Sequence, residues 1–450
     1  MTHLAYRPEA TSRTRAGAHV PGPRGPRHLA AVLLIAAAAL AACQFAPGEL
    51  QPGDQAPPDA DPSRPDATPV PIDANPNAPD AAPCAWSYTP KFVDPCATGK
   101  PDPGTFDLIL TADLPYVYET TNGTLIGSTV VIPSKLTTDE DGVRTIWVRN
   151  VMIEAGVELR VQGDFPLMIV ASGEITVNGT IDASSARIPS ADRFDRGPGL
   201  NEADCAVNAA EEGSACGTQG GSGGGGGSFG GAGGDGGFGG GLRGCGDGND
   251  SSPGGAGGAA VLTLPDRIRA GCDGKRGGDG EEEGRYGIGG VGGGAVHLVA
   301  RQRLQVGGTI HAGGAGGYGA QDKRAGGGGG GSGGFIGLEA PELIIQGSAV
   351  LAANGGGGGG GTNDEGDATA GENALTTDDP APGGGGYTTG VYAAVGGPGS
   401  AGDTKSGSNG GDGDRGGGGG GGGAGYIILY QDDDPTIIGD PTISPQSMKP

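Results

Sequence analysis

Large side chains are scarce in this chain. Aromatic residues make up 4% of its 450 positions. Only the β-rich segments can therefore build a core. No C-x-x-C pair occurs, and beyond residue 42 the chain holds two histidines, His297 and His311. That argues against a structural zinc site. No apolar run reaches spanning length; the best, Leu29–Ala39, is too short. Basic charge is also in short supply, with 28 Lys and Arg against 52 Asp and Glu and a net charge of -24. Residues 1–42 carry five Arg and one Glu, so the remainder stands near -28. Such a surface repels nucleic acid and anionic lipid, and it attracts divalent cations or polycationic surfaces. The 102 glycines follow no G-X-Y period, which excludes collagen.

What is present is a β pattern. From Arg144 to Ala183, Ile146, Val148, Val151, Ile153, Val157, Leu159 and Val161 are separated mostly by one polar residue. That alternation predicts half-buried strands. Val151, Ile153 and Val157 return as Ile175, Val177 and Ile181, 24 residues on. A period of this size with short strands predicts a parallel β-helix. Further copies run from Met168 to Ile181, Val296 to Ile310 and Ile336 to Val350, and a last one starts at Tyr426. The copies close with Ile181, Ile310 and Val350 and then leave into glycine. The inserts 184–292, 312–333 and 354–424 differ greatly in length, yet all leave and return at one place in the repeat. The expected fold is an all-β, right-handed parallel β-helix (solenoid) with long glycine-rich inserts emerging from one corner. Runs such as 223–227, 326–331, 355–361 and 416–423 are pure glycine. Two readings of them stay open: flexible coil, or bundled polyglycine II helices whose bare backbones bond to one another.

The expected order of domains is a signal peptide over 1–42, a Pro/Asp-rich disordered tether over 43–83, a disulfide-bearing N-terminal cap over 84–143, the β-helix over 144–435 and a C-terminal tail over 436–450. The tether has eleven Pro and six Asp between residues 44 and 83. At ~3.1 Å per residue it would reach on the order of 120 Å. The cap would cover the open edge of the first rung; a small independent β-domain is the alternative. Cys84, Cys96, Cys205, Cys216, Cys245 and Cys272 are even in number, which suits three disulfides in an exported protein. Fifteen pairings are possible, and short loops favour Cys84–Cys96, Cys205–Cys216 and Cys245–Cys272.

At the amino terminus, basic residues, the apolar run and then Leu40-Ala41-Ala42-Cys43 resemble a bacterial lipoprotein signal with its lipobox. The resemblance implies cleavage before Cys43, lipidation of that residue and, with Gln44 following, an outer-membrane or cell-surface address. The G-G-A-G-G units resemble in composition the glycine-rich repeats of mycobacterial PGRS proteins and of polyglycine-II antifreeze proteins. The β-helix architecture also resembles polysaccharide lyases and glycosidases, which align carboxylates across rungs. Glu174, Asp182, Arg301, Arg303 and Glu342 lie on the copies but form no expected carboxylate row.

Other motifs carry less chemistry. Gly220–Gly224 and Gly330–Gly334 fit G-x-S-x-G through Ser222 and Ser332 but lack the strand-turn-helix of a nucleophile elbow. Gly274-Lys275 lacks the Ser/Thr of a phosphate loop. Gly230–Asp235 begins like a calcium-binding nonapeptide, and Asp247, Asp250, Asp412, Asp414 and Asp432–Asp434 offer oxygen ligands in loops. The expected function is a non-enzymatic surface lipoprotein, structural or adhesive, contacting a surface, matrix or carbohydrate. Its partners are the membrane, through the lipid, and a carbohydrate or another cell surface, with no nucleic acid. No cofactor is required, calcium being the candidate. The loop aromatics Phe229, Phe238, Tyr286, Tyr318, Tyr387 and Tyr392 suit such contacts or anchor the inserts. The alternatives are a polysaccharide-active enzyme and a calcium-binding surface protein.

Overall fold

A computed structural model of the protein describes residues 86–97, 106–111, 115–127, 137–138, 142–189, 193–199, 205–215, 220–240, 252–363, 366–387, 394–431 and 434–450. The signal peptide, the tether, Cys43, Cys84, Cys216, Cys245, Asp247, Asp250, Asp432, Asp433 and Tyr392 lie outside the described residues. Among the described residues no helix is long and apolar enough to cross a membrane.

Among the described residues the chain is all-β, with one short 3-10 turn at Ala206–Asn208. It opens with β1 (Asp107–Leu110), β2 (Tyr116–Glu119), β3 (Thr124–Ile126) and β4 (Thr137–Thr138). Strands then come in threes: β5 (Arg144–Val148), β6 (Asn150–Ile153) and β7 (Glu158–Gln162), followed by β8 (Leu167–Ala171), β9 (Glu174–Val177) and β10 (Thr180–Asp182). A small antiparallel pair, β11 (Ala186–Ile188) and β12 (Arg193–Asp195), sits in the first insert. The threes resume with β13 (Ala295–Ala300), β14 (Arg303–Val306) and β15 (Thr309–His311), and then β16 (Phe335–Glu339), β17 (Glu342–Gln346) and β18 (Val350–Ala352). The last are β19 (Tyr426–Tyr430), β20 (Thr436–Ile438) and β21 (Thr442–Ser444).

Each triplet gives one strand to each of three sheets. The orders are β4-β5-β8-β13-β16-β19, β1-β6-β9-β14-β17-β20 and β3-β2-β7-β10-β15-β18-β21. Pairing within them is parallel except at the edges, where β3 runs antiparallel to β2 and β4 antiparallel to β5. Those two strands stand where a cap is needed, while β1 and β2 join the sheets themselves. Residues 436–450, expected as a tail, instead supply β20 and β21, and Met448 bridges to Ile428.

Alternation explains the interior. Ile146, Ile169, Leu298, Leu338 and Leu429 stack from one triplet to the next in one sheet, and Ile153, Val177, Val306 and Ile345 in another. Each such side chain contributes ~1.5–3 kcal/mol on burial. Two expected equivalences shift. Ile181 pairs with Leu159, not Val157, because Glu154–Gly156 makes a wider turn with Gly156 at φ 83. Ile310 pairs with Leu351, not Val350, since the path from Ile345 to Leu351 is two residues longer than that from Val306 to Ile310. Both shifts keep an apolar residue inside. The sheet of β5, β8, β13, β16 and β19 is buried on both faces, which is why its strands read as nearly unbroken apolar runs. Its outer face packs Met168, Val170, Phe335 and Ile428 under Trp86, Phe92, Phe229 and Ile268.

The inserts leave after Asp182, His311 and Ala352, which are register partners, and return at Ala295, Phe335 and Tyr426. Ala295 pairs with Phe335, and Phe335 with Tyr426. Departures and returns are therefore aligned across the strands. Between them the glycines are hydrogen-bonded to one another. Gly417, Gly420 and Gly423 donate to the carbonyls of Gly221, Gly224 and Gly227. Gly418 and Gly421 donate to Gly411 and Ser408, and Gly419 and Gly422 to Gly359 and Gly356. The carbonyls of the same run accept in rotation from 327, 330 and 333, from 237 and 234, and from 397 and 400. The partner changes at every residue and returns at every third. One glycine run thus lies among six hydrogen-bonded segments, donating to three and accepting from three.

The other pure glycine runs, 223–227, 326–331 and 355–361, are bonded on all sides in the same way, and all four are buried. Around them run segments with a side chain at every third position. Gly255 and Gly258 face in while Pro253, Ala256 and Ala259 face out; Ala394 and Gly397 face in while Val395 and Pro398 face out.

Candidate functional site

The described cysteines correct the local pairing. Cys205 is joined to Cys272, 67 residues away, in place of Cys205–Cys216 and Cys245–Cys272. The reason is the bundle: Cys272 lies on a segment bonded to Ser332 through its N–H and carbonyl, and that lattice carries it across the sequence gap to Cys205. Arg269 lies beside both sulfurs and stacks on Phe229 at 4.1 Å. Cys96 is also disulfide-bonded, to a partner outside the described residues.

The two G-x-S-x-G serines face backbone. Ser222 Oγ accepts from Ser214 N at 2.7 Å, and Ser332 Oγ accepts from Cys272 N at 2.8 Å. Three of the described calcium candidates also have protein partners. Asp235 Oδ1 accepts from Gly257 N and Asp412 Oδ1 from Phe238 N, both at 2.8 Å, while Asp434 pairs with Lys449 at 2.6 Å. Among the described residues no three His, Cys, Asp or Glu side chains are grouped to hold a metal ion. Glu174, Arg303 and Glu342 do share one row, as register partners on β9, β14 and β17. Arg303 stands between the carboxylates and donates to Glu174 Oε2 at 2.7 Å, so the row alternates in charge. Arg301 and Asp182 lie elsewhere.

Two features escaped sequence reasoning. The first is a buried pair on the outer face of β13 and β16, where His297 Nε2 meets Glu339 Oε2 at 3.0 Å. Glu339 Oε1 accepts from Lys91 N at 2.9 Å, and Tyr88 donates to Ala300 O at 2.8 Å. Phe92 packs edge-on against His297 and Tyr430. Gly337 is required opposite the imidazole, since a Cβ there would lie 2.0 Å from His297 Nδ1. This set ties 86–97 to the sheet. The signal available in sequence was one polar residue, His297 or Glu339, in each of two apolar strands.

The second is a groove of about 530 Å³ between the turns at 119–122 and 162–164 and the strand β12. Its walls carry Glu119, Gln162, Asp164, Phe194, Asp195 and Arg196. Glu119 Oε2 accepts from Gln162 Nε2 at 3.1 Å, and Thr121 Oγ1 accepts from Asp164 N at 2.9 Å. Phe194 stands edge-on to Tyr318 with centroids 5.2 Å apart. The Tyr318 hydroxyl shares its one proton between Arg193 O at 2.8 Å and Ile188 O at 3.0 Å, clamping the β11–β12 pair to the glycine bundle. Among the loop aromatics, Tyr318 and Phe229 are thus anchors, and Phe238 is exposed.

Behind the groove lies a charged cluster. The buried Arg160 pairs with Asp182 at 3.1 Å and Asp195 at 3.2 Å, and donates to Ser184 O at 2.7 Å. His311 Nδ1 is 3.6 Å from Asp182 Oδ1. Burial holds the His311 imidazole below its ordinary range; Asp182 opposes that shift and Arg160 adds to it. No protein-family model, curated protein or solved structure matches this chain.

Proposed function

We propose that this chain is a lipid-anchored surface protein with a structural or adhesive role. In this reading the three parallel sheets are the faces of one right-handed β-helix, and the inserts form a polyglycine II bundle along one side of it. The observation that carries the reading is the threefold rotation of hydrogen-bond partners along 416–423. Polyglycine II has three residues per turn, so successive N–H groups point 120° apart and reach three different neighbours. Aligned departures and returns of the inserts support the single helix, and parallel crossovers favour the right hand. The L-A-A-C sequence supports the anchor, since two or three acyl chains hold a protein on a membrane.

Such a bundle is stiff, nearly free of side chains inside and wide, which suits it to spacing or contacting a surface. Hydrogen exchange tests it. Amides of 326–331 and 416–423 are expected to stay protected as long as those of β13 and β16. Exchange at the rate of open loops would remove the bundle and the role built on it. Membrane fractionation of Cys43→Ala tests the anchor separately; the variant is expected in the soluble fraction.

A further inference from the structure

We infer that the groove beside β12 is a binding site for a neutral pyranose oligosaccharide. Its volume of about 530 Å³ falls within the ~300–1,000 Å³ usual for small-ligand sites. Most of the polar side chains in it end in planar carboxylate or amide groups. The Glu119 carboxylate and the Gln162 amide are already bonded to each other, and Asn122 and Asp164 stand on the neighbouring turns. Paired donors and acceptors of this kind match vicinal hydroxyls, which give and take hydrogen bonds together.

Phe194 supplies the apolar side of the groove. Its ring is half-buried, and the electron-rich face of an aromatic ring attracts the polarised C–H edge of a sugar. The ring is also preorganised. Tyr318 holds it from below, and Tyr318 sits on a segment bonded to 326–331 through the bundle. A site fixed on such a support loses little entropy when it binds.

Charge selects the ligand. With Asp195 paired to Arg160, Glu119 and Asp164 face the groove against one lining guanidinium, Arg196, which is turned toward Asp273 at 4.0 Å. An anionic polymer meets net repulsion there. Arg160 cannot relieve it, because its guanidinium is engaged by Asp182, Asp195 and Ser184 O. The site deepens the adhesive reading and rests on it only for its biological use; binding itself requires no membrane anchor.

Calorimetry and saturation-transfer NMR on the full-length protein, with cellohexaose, chitohexaose and hexagalacturonate as probes, test the inference. One or both neutral hexasaccharides are expected to bind, and hexagalacturonate is not. Phe194→Leu keeps apolar packing on Tyr318 but removes the ring face, and a loss of about tenfold in affinity is expected. Phe194→Tyr is expected to bind like the parent chain. Ile438→Ala, exposed on β20 at the far end of its sheet from β1, is expected to change nothing. Absence of binding by both neutral probes, preference for hexagalacturonate, or unchanged affinity in Phe194→Leu would each overturn the site. Protected bundle amides in the same samples would show that the display reading survives such a failure.

Discussion

A methyl group added at Gly420 would lie 1.9 Å from Gly234 O, whereas one at Gly385 would meet nothing nearer than Thr369 Oγ1 at 3.4 Å. The first glycine is enclosed by backbone, and the second faces outward. Gly420→Ala is therefore expected to destabilise by at least about 1–3 kcal/mol, the cost of overpacking a filled interior. Gly385→Ala is expected to be neutral or to stabilise by up to about 1 kcal/mol, through the lost freedom of the unfolded chain. Paired thermal melts check both. A second effect at this scale is pH dependence at His311. Its folded pKa lies below the ordinary value of 6.5, so the native state keeps the ring neutral where the unfolded chain takes up a proton. Its contribution is fully present above about pH 6.5 and is lost as pH falls toward the lowered folded value. Denaturation midpoints measured from pH 7.5 to 5 are expected to fall less steeply in His311→Asn than in the parent chain.

Elements here hold each other in place. An interior glycine makes about one donated and one accepted bond, with a net worth of about 0.5–1.5 kcal/mol per bond. Ordering its backbone costs about 1–2 kcal/mol. An isolated bundle is thus close to balance, and it gains from runs that continue strands already fixed. Residues 326–334 lead directly into β16, 353–361 follow directly from β18, and 416–425 lead into β19. The Cys205–Cys272 bond adds a covalent tie within the first insert, which has the longest path between strands. Cys205→Ser with Cys272→Ser is expected to cost about 2–5 kcal/mol in denaturant unfolding. Peptide mapping without reduction is expected to recover 205 joined to 272. Recovery of Cys205 with Cys216 would instead restore the short-loop pairing.

Across the whole molecule, two kinds of order share one chain. The aliphatic interior is apolar and held by burial. The glycine bundle is held by backbone bonds, and its charged residues lie on the rim, where Asp235, Asp412 and Asp273 also accept backbone N–H groups. That arrangement accounts for the sparing use of large side chains. The outer segments of the glycine bundle carry outward side chains at every third position, as at Pro253, Ala256 and Ala259. The groove forms where the two kinds of order meet, with one wall from β-turns and the other from a hairpin clamped to the bundle.

Strand content, the aligned departures of the inserts and the boundary of each glycine run were legible in the sequence. Alternation and glycine are local signals: one marks which face is buried, and the other marks where a side chain would not fit. The pairing of Cys205 with Cys272, the meeting of His297 with Glu339 and the groove walls from 119, 162 and 194 were not legible. They join residues brought together by stacking, and their distances depend on how many turns and lattice neighbours lie between them. A two-residue shift such as Leu159 for Val157 preserves the apolar pattern while changing every contact that follows, so only the folded arrangement could choose it.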